Sequence, residues 1–387
     1  MKAKRKILGV TGIRSEYDIM SSVFKAIQDH PELELEIAVT GAHLSDAFGY
    51  TVDDIKADGF KIADEIESLL NSDQASARVK SLAIQLQGLI QTIIRVKPDF
   101  LLVLGDREES MNTALAGAYM NIPVAHIAGG DRVVGNVDDQ IRHAVTKLSH
   151  LHLVTSQDSF ERVLKLGEQK FRVHNVGNPG LDRILKIPVL SSIELSKQLG
   201  FEVKDNEPLI LLIQHAISTE IEDAYTQMKE TLEAVKALKI KTIVSFPNSD
   251  AGGQQIIKAI QEYQHLDFLY SAKNIPRVAF INIMRRASCM LGNSSAGIVE
   301  APLLKLPVIN VGNRQKGRLH AENVVFVPHK SADIQSAIKQ AIFDLDYLEK
   351  MKNCTNPYGD GQSSVRIAEL LASTQIDENF MIKDMTY

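Results

Sequence analysis

The sequence predicts an α/β protein built from two parallel-sheet domains, and three observations carry that prediction. A short apolar run, a turn rich in Gly, Asn or Asp, and a longer segment with helical spacing recur along the chain, which is the rhythm of βα units. The rhythm breaks from Asn178-Pro179-Gly180 through Asp205, then restarts with a new buried run at 208–214. Finally, 387 residues with 44% hydrophobic and 24% charged content are enough for two cores and exclude both a disordered chain and a lone small scaffold.

In the first half the strand candidates are 6–10, 35–39, 100–104, 124–127 and 152–155. Helical patterns lie between them at 17–29, about 75–95, 109–120 and 138–148. In the second half 208–214, 243–246, 278–280, 289–291, 308–310 and 324–327 read as strands, again with helices intervening. Two similar domains with a cleft between them are the simplest arrangement. Ligands of such sheets sit at the carboxyl ends of the strands, so the residues just after each strand are the ones to inspect.

Charge and composition narrow the function. A formal charge of −5, from 43 Lys plus Arg against 48 Asp plus Glu, gives no bulk positive field for nucleic acid or an anionic membrane, so phosphate binding must be local. Two cysteines, Cys289 and Cys354, fit a reducing compartment. The basic start Lys2-Ala3-Lys4-Arg5-Lys6 imitates a signal peptide, but the apolar stretch behind it is interrupted by Gly9, Thr11 and Gly12 and ends at Arg14. A cytoplasmic protein is expected, with no stretch of about 18 apolar residues to span a bilayer.

Two turns outline anion sites. In Thr11-Gly12-Ile13-Arg14-Ser15-Glu16-Tyr17-Asp18, Gly12 permits a tight turn, Ser15 has the spacing of a helix cap with Asp18, and Arg14 stands beside exposed N–H groups. The plainer reading is an ordinary turn with a solvated arginine. A stronger candidate is the strand from Cys289 running through Gly292-Asn293-Ser294-Ser295-Ala296-Gly297 into a helix. There backbone N–H groups, two hydroxyls and the positive helix end converge on a point suited to diphosphate, and Glu300 in the first turns can accept ribose hydroxyls. Its plainer reading is a Ser-capped helix. No Gly-Lys-Ser/Thr sequence is present, which disfavours ATP hydrolysis.

Acids gather at the strand ends of the first half. Asp106 follows the apolar run at 100–105, Asp131 follows 124–130, and Asp138 and Asp139 open the next helix. Carboxylates converging on a cleft can divide acid and base duties when their environments separate their pKa values. The plainer alternative is a pair of i,i+4 contacts, Asp138 with Arg142 and Asp139 with His143. His215 ends the first strand of the second half and faces the cleft from the side opposite Asp106, placed to neutralise charge on a leaving phosphate. His150 and His152 share a strand face without a third ligand at metal spacing, so no metal is expected.

Taken together, these stretches resemble the hydrolysing UDP-N-acetylglucosamine 2-epimerases of sialic-acid-type pathways. The matching segments are 11–17, Gly41-Ala42-His43-Leu44, Gly105-Asp106-Arg107, 126–131, 138–143, Gln214-His215, Phe246-Pro247-Asn248-Ser249-Asp250-Ala251-Gly252, 292–300, 312–318 and Tyr358-Gly359-Asp360-Gly361, in order along nearly the whole chain. Gly105-Asp106-Arg107, where the non-hydrolysing epimerases have Gly-Asp-Thr, points to the hydrolysing branch. The resemblance implies a GT-B arrangement of two Rossmann-like doubly wound domains with an interdomain cleft: 1–180 carrying the acids, 181–365 binding nucleotide, and 366–387 as a C-terminal helix and tail returning to the first domain. It also implies a homodimer and no cofactor, with UDP-N-acetylglucosamine and water giving N-acetylmannosamine and UDP. The partners expected are the UDP-sugar and UDP, with neither nucleic acid nor membrane.

By the same resemblance, Asp106 and Asp138 are acid/base residues and His215 stabilises the leaving group. Arg14, Arg107, Asn248, Gly292, Ser294, Ser295 and Glu300 bind nucleotide or substrate. One departure matters: the family pattern His-Ile-Glu-Gly-Gly-Glu has a catalytic glutamate at the position of Ala128, and the loop to Asp138 is one residue longer here. Asp131, the nearest acid, is expected to take over that duty unless substrate or chemistry has drifted. The alternatives are the same reaction on a UDP- or GDP-linked 2,4-diacetamido-trideoxyhexose, a non-hydrolysing epimerase, and a GT-B nucleotide-sugar-binding protein.

Overall fold

A computed structural model describes residues 4–70, 72, 74–132, 137–217, 219–248 and 251–387. Lys2 and Ala3 of the basic start, residues 133–136 of the loop ahead of Asp138, and Ser249 and Asp250 of the quoted motif lie outside the described residues. The chain divides into two units, Met1–Leu185 with Tyr358–Tyr387, and Lys186–Pro357.

The first unit holds β1 (Arg5–Thr11), β2 (Leu33–Thr40), β3 (Ile62–Ile66), β4 (Phe100–Leu104), β5 (Val124–Ile127), β6 (Leu151–Val154) and β7 (Val173–Asn175). All pairings are parallel, in the order β3-β2-β1-β4-β5-β6-β7. Helices cover both faces, so β4 and β5 are buried at every residue and read as continuous apolar runs. One core packs helix Arg14–Asp29 and helix Ser363–Ser373 on one face, through Phe24, Ile27, Ile367 and Leu371. The other face takes Leu89, Ile93, Ala114 and Val145 from three further helices. The order reverses between β1 and β4, so the carboxyl ends of these two strands form the crevice where such sheets take ligands. The C-terminal tail closes this unit: fully buried Arg172 donates to the carbonyls of Asn379 at 3.0 Å and Ile382 at 2.6 Å.

The second unit holds β8 (Leu209–Ile213), β9 (Lys241–Ser245), β10 (Leu269–Ala272), β11 (Cys289–Gly292), β12 (Val308–Val311) and β13 (Val324–Val327). They pair in parallel in the order β10-β9-β8-β11-β12-β13, reversing at β8 and β11. Residues 278–280, expected as a strand, belong instead to helix Arg277–Arg286. Pro276 at its N-cap and the i,i+4 burial of Ala279 and Ile283 favour the helix over alternation. The strand is β10, and like β3 and β7 it lies at a sheet edge, where partial exposure dilutes the apolar signal. Among the described residues no helix is long and apolar enough to cross a membrane.

Candidate active site

At the end of β4 the chain turns through Gly105, whose φ of +73° suits glycine, and delivers Asp106 to the carboxyl edge of the sheet. Asp106 accepts a hydrogen bond from Nη2 of Arg142, and Nη1 of the same guanidinium donates to the Ala128 carbonyl at 2.8 Å. Arg142, 7% exposed and carried by helix Val137–Leu148, thus clamps the ends of β4 and β5 together. Ala128 has a left-handed φ of +61°, a conformation that costs a non-glycine residue on the order of 1 kcal/mol, and its own N–H is held by Leu153 O at 3.0 Å. Where the resembling enzymes keep a glutamate, this chain therefore carries a methyl group on a strained and doubly tied peptide.

His126 supports the same turn. Its Nε2 lies 2.7 Å from Gly105 O, and because a carbonyl only accepts, Nε2 must carry the proton. Burial lowers this imidazole to about 3, so it stays neutral. Burial pushes the Asp106 carboxyl above its ordinary range; Arg142 pulls against this and the Asp138 charge adds to it. Asp138, half-buried in the first turn of helix Val137–Leu148, is thus within electrostatic reach of Asp106. Asp131 is tied along the same edge: its Oδ1 accepts from Thr155 Oγ1 and Ser159 Oγ, each at 2.6 Å, linking the β5 loop to the end of β6.

At the end of β1, Ser15 does not cap the helix. Helix Arg14–Asp29 starts one residue earlier, and Glu16 Oε2 reaches back to the Gly12 N–H at 2.9 Å. Arg14 is exposed in its first turn. Glu16 is buried, and burial, with the Glu109 charge second, raises its carboxyl from 4.5 to about 8; the Gly12 bond and Arg107 oppose this, and Asp106 adds slightly to it. A folded state that keeps this proton while the unfolded chain loses it is progressively destabilised as pH rises from about 4.5 to about 8. Glu16→Gln keeps an acceptor for Gly12 and removes the titration. Its stability should match wild type near pH 4.5 and exceed it above pH 8 by on the order of a few kcal/mol, read by denaturant unfolding at both pH values. Parallel pH profiles for the two proteins would mean that Glu16 is ionised in the fold.

In the second unit, β11 ends at Gly292 with φ +116°, and a Cβ there would fall on the carbonyl of Ile213 at the end of β8. That close approach lets Asn293 grip the next peptide: its Oδ1 accepts from His215 N at 2.7 Å and its Nδ2 donates to His215 O at 2.9 Å. Half-buried His215 takes the Asn248 N–H on Nδ1 at 3.2 Å, so a neutral ring carries its proton on Nε2. Gly292, Ser294, His215 and Asn248 therefore lie together at one sheet edge. Ser294 caps the following helix through Ala296 N at 3.3 Å, and Ser295 is exposed at its first position. Glu300 departs from expectation. The helix is only Ser295–Val299, so Glu300 is its C-cap rather than a residue within its first turns, and it pairs with Arg277 at 2.9 Å.

A family model described as UDP-N-acetylglucosamine 2-epimerase matches residues 25–372. The chain belongs to that family. A UDP-N,N'-diacetylbacillosamine 2-epimerase (hydrolyzing) of Legionella pneumophila is 36% identical over 99% of this chain and 100% of its own length. A GDP/UDP-N,N'-diacetylbacillosamine 2-epimerase (hydrolyzing) of Campylobacter jejuni is 34% identical over 84% of each chain. Among solved structures, UDP-GlcNAc 2-epimerase from Neisseria meningitidis bound to UDP-GlcNAc superposes with a TM-score of 0.78 at 23% identity, covering 95% of this chain and all of that one, which speaks to the fold. The family resemblance read from the motifs is thus borne out. The sequence reading gave no role to three residues of this chain: Glu16 and Glu109, which meet at Gly12, and Asn293, whose side chain fixes the His215 backbone.

Proposed function

We propose that the protein is a hydrolysing 2-epimerase of UDP-linked 2-acetamido sugars. The carrying observation is the Asp106 site, a half-buried carboxyl raised by burial and by Asp138 and oriented by Arg142. A base takes the proton from sugar C2, the C2–H electron pair forms the C1=C2 bond, and the C1–O bond breaks with its electrons leaving on UDP. Water then adds across the glycal, hydroxyl to C1 and a proton to the opposite face of C2, giving the free 2-epimer. Asp106 and Asp138 handle these protons, and Asp131 is the acid available for the duty left open at Ala128. His215 balances charge on the departing diphosphate, while Arg14, Arg107, Asn248, Gly292, Ser294, Ser295 and Glu300 bind the nucleotide.

For the sugar, a UDP-linked 2,4-diacetamido-trideoxyhexose is favoured by the two hydrolysing relatives, both named for diacetylbacillosamine. UDP-N-acetylglucosamine is the second reading, favoured by the family description. Incubation with each sugar in D2O, followed by NMR, should yield free UDP and deuterium at C2 of the released sugar, with kcat/KM higher for UDP-N,N'-diacetylbacillosamine. Accumulation of a UDP-linked 2-epimer in place of free UDP would remove the hydrolytic assignment.

A further inference from the structure

Glu109 is buried at the start of helix Glu108–Met120, and its surroundings single it out. A Cβ placed on Gly12 would fall on its carboxyl, and one placed on Gly41 would lie 2.8 Å from its Oε1. Gly12 follows β1 and Gly41 follows the neighbouring β2, so two adjacent strand ends leave one slot, filled by a carboxyl from the helix after β4. The same carboxylate takes a fork from Arg107, Nε to Oε2 at 3.1 Å and Nη2 to Oε1 at 3.4 Å. Its neighbour Glu108 is committed to Arg78 through two bonds of 2.6 Å, which leaves the close fork to Glu109. The Arg107 side chain remains 32% exposed, next in sequence to Asp106, while its Nε and Nη2 are engaged by Glu109.

We infer that Glu109 is the positioning residue of Arg107: seated in the slot of Gly12 and Gly41, it fixes the guanidinium to meet the anionic diphosphate of the nucleotide sugar. An arginine held in place before the ligand arrives loses less rotamer freedom on binding, and its planar fork keeps a defined direction. The inference rests on the use of Arg107 as a nucleotide contact under the proposed function. Gly12 supplies an unusual handle. Its φ lies outside the left-handed region, and the three atoms nearest an added Cβ all belong to Glu109, so the main obstacle to alanine there is the carboxyl itself.

The test is a pair of double-mutant cycles on UDP affinity, by calorimetry, and on kcat/KM. Glu109→Ala and Gly12→Ala should each weaken UDP binding about 10-fold or more, with Glu109→Gln between these and wild type. Combining Gly12→Ala with Glu109→Ala should be no worse than Glu109→Ala alone, because the methyl enters vacated space. In an Arg107→Ala background, Glu109→Ala should cost nothing further. Losses that multiply in either cycle, or unchanged UDP affinity in Glu109→Ala, overturn the inference. If Glu109→Ala does not fold, Glu109→Gln and Gly12→Ala give the same reading against Arg107→Ala. Wild type that binds UDP but turns over no nucleotide sugar would sink the proposed reaction while leaving these cycles decisive; wild type that does not bind UDP overturns the inference.

Discussion

Asp106→Asn should lower turnover of the nucleotide sugar by about 10²- to 10⁴-fold, the range for loss of a positioned acid or base, with UDP affinity near wild type. Asparagine keeps the shape of the side chain and an oxygen for Arg142 Nη2, so the clamp between β4 and β5 persists. What disappears is a group that can give or take a proton where burial and Asp138 hold it above the ordinary carboxylate range. Single-turnover kinetics with deuterium incorporation at C2 separates the proton step from UDP release. The same measurement on Asp131→Asn decides what replaces the glutamate missing at Ala128. A loss equal to that of Asp106→Asn, with UDP binding retained, gives Asp131 the proton transfer. Near-normal turnover with deuterium still entering C2 leaves the base at Asp106 or Asp138 and makes Asp131 a tie between Thr155 and Ser159. Undiminished turnover in Asp106→Asn would remove this residue from the chemistry altogether.

What was legible in the sequence follows from which interactions are local. The run Phe100-Leu101-Leu102-Val103-Leu104 read as a strand candidate by its length and its Gly105 boundary, and Asp106 behind it followed as a residue at the sheet edge. Gly292-Asn293-Ser294 was equally readable as a strand-to-helix turn. Glu16 and Glu109 were not readable, because their meeting point depends on β1 lying between β2 and β4, and Gly12 looks like any turn glycine until the carboxyl in its Cβ position is known. Asn293 resembled a loop residue because its partners are the backbone of His215, which carries no side-chain signal. Glu300 was misplaced for another reason. The apolar pattern continues from Ile298 into the 3₁₀ turn Ala301–Leu304, so periodicity gave no sign that the helix had already ended.

The largest loss of stability is expected at Arg142. Arg142→Met keeps much of the aliphatic volume and removes the donors to Asp106 and to the Ala128 carbonyl. Breaking a buried ion pair from one side typically costs about 3–5 kcal/mol, and here the unpaired carbonyl belongs to a residue already strained at φ +61°. Part of the charge penalty can be relieved by protonation of Asp106, whose pKa rises further once the opposing cation is gone. Where Asp106 acts as the base, the acidic limb of the pH–rate profile should therefore move to higher pH, and turnover on that limb should fall because less Asp106 is ionised; an unmoved limb with reduced stability leaves the base elsewhere. Arg142→Lys separates the two effects: an ammonium supplies the charge, but as a single point it cannot span both acceptors as the planar fork does. Lysine should restore the position of the acidic limb while recovering only part of the unfolding free energy. If Arg142→Met unfolds at the wild-type denaturant midpoint with its acidic limb unmoved, neither the clamp nor the orientation of Asp106 depends on this guanidinium.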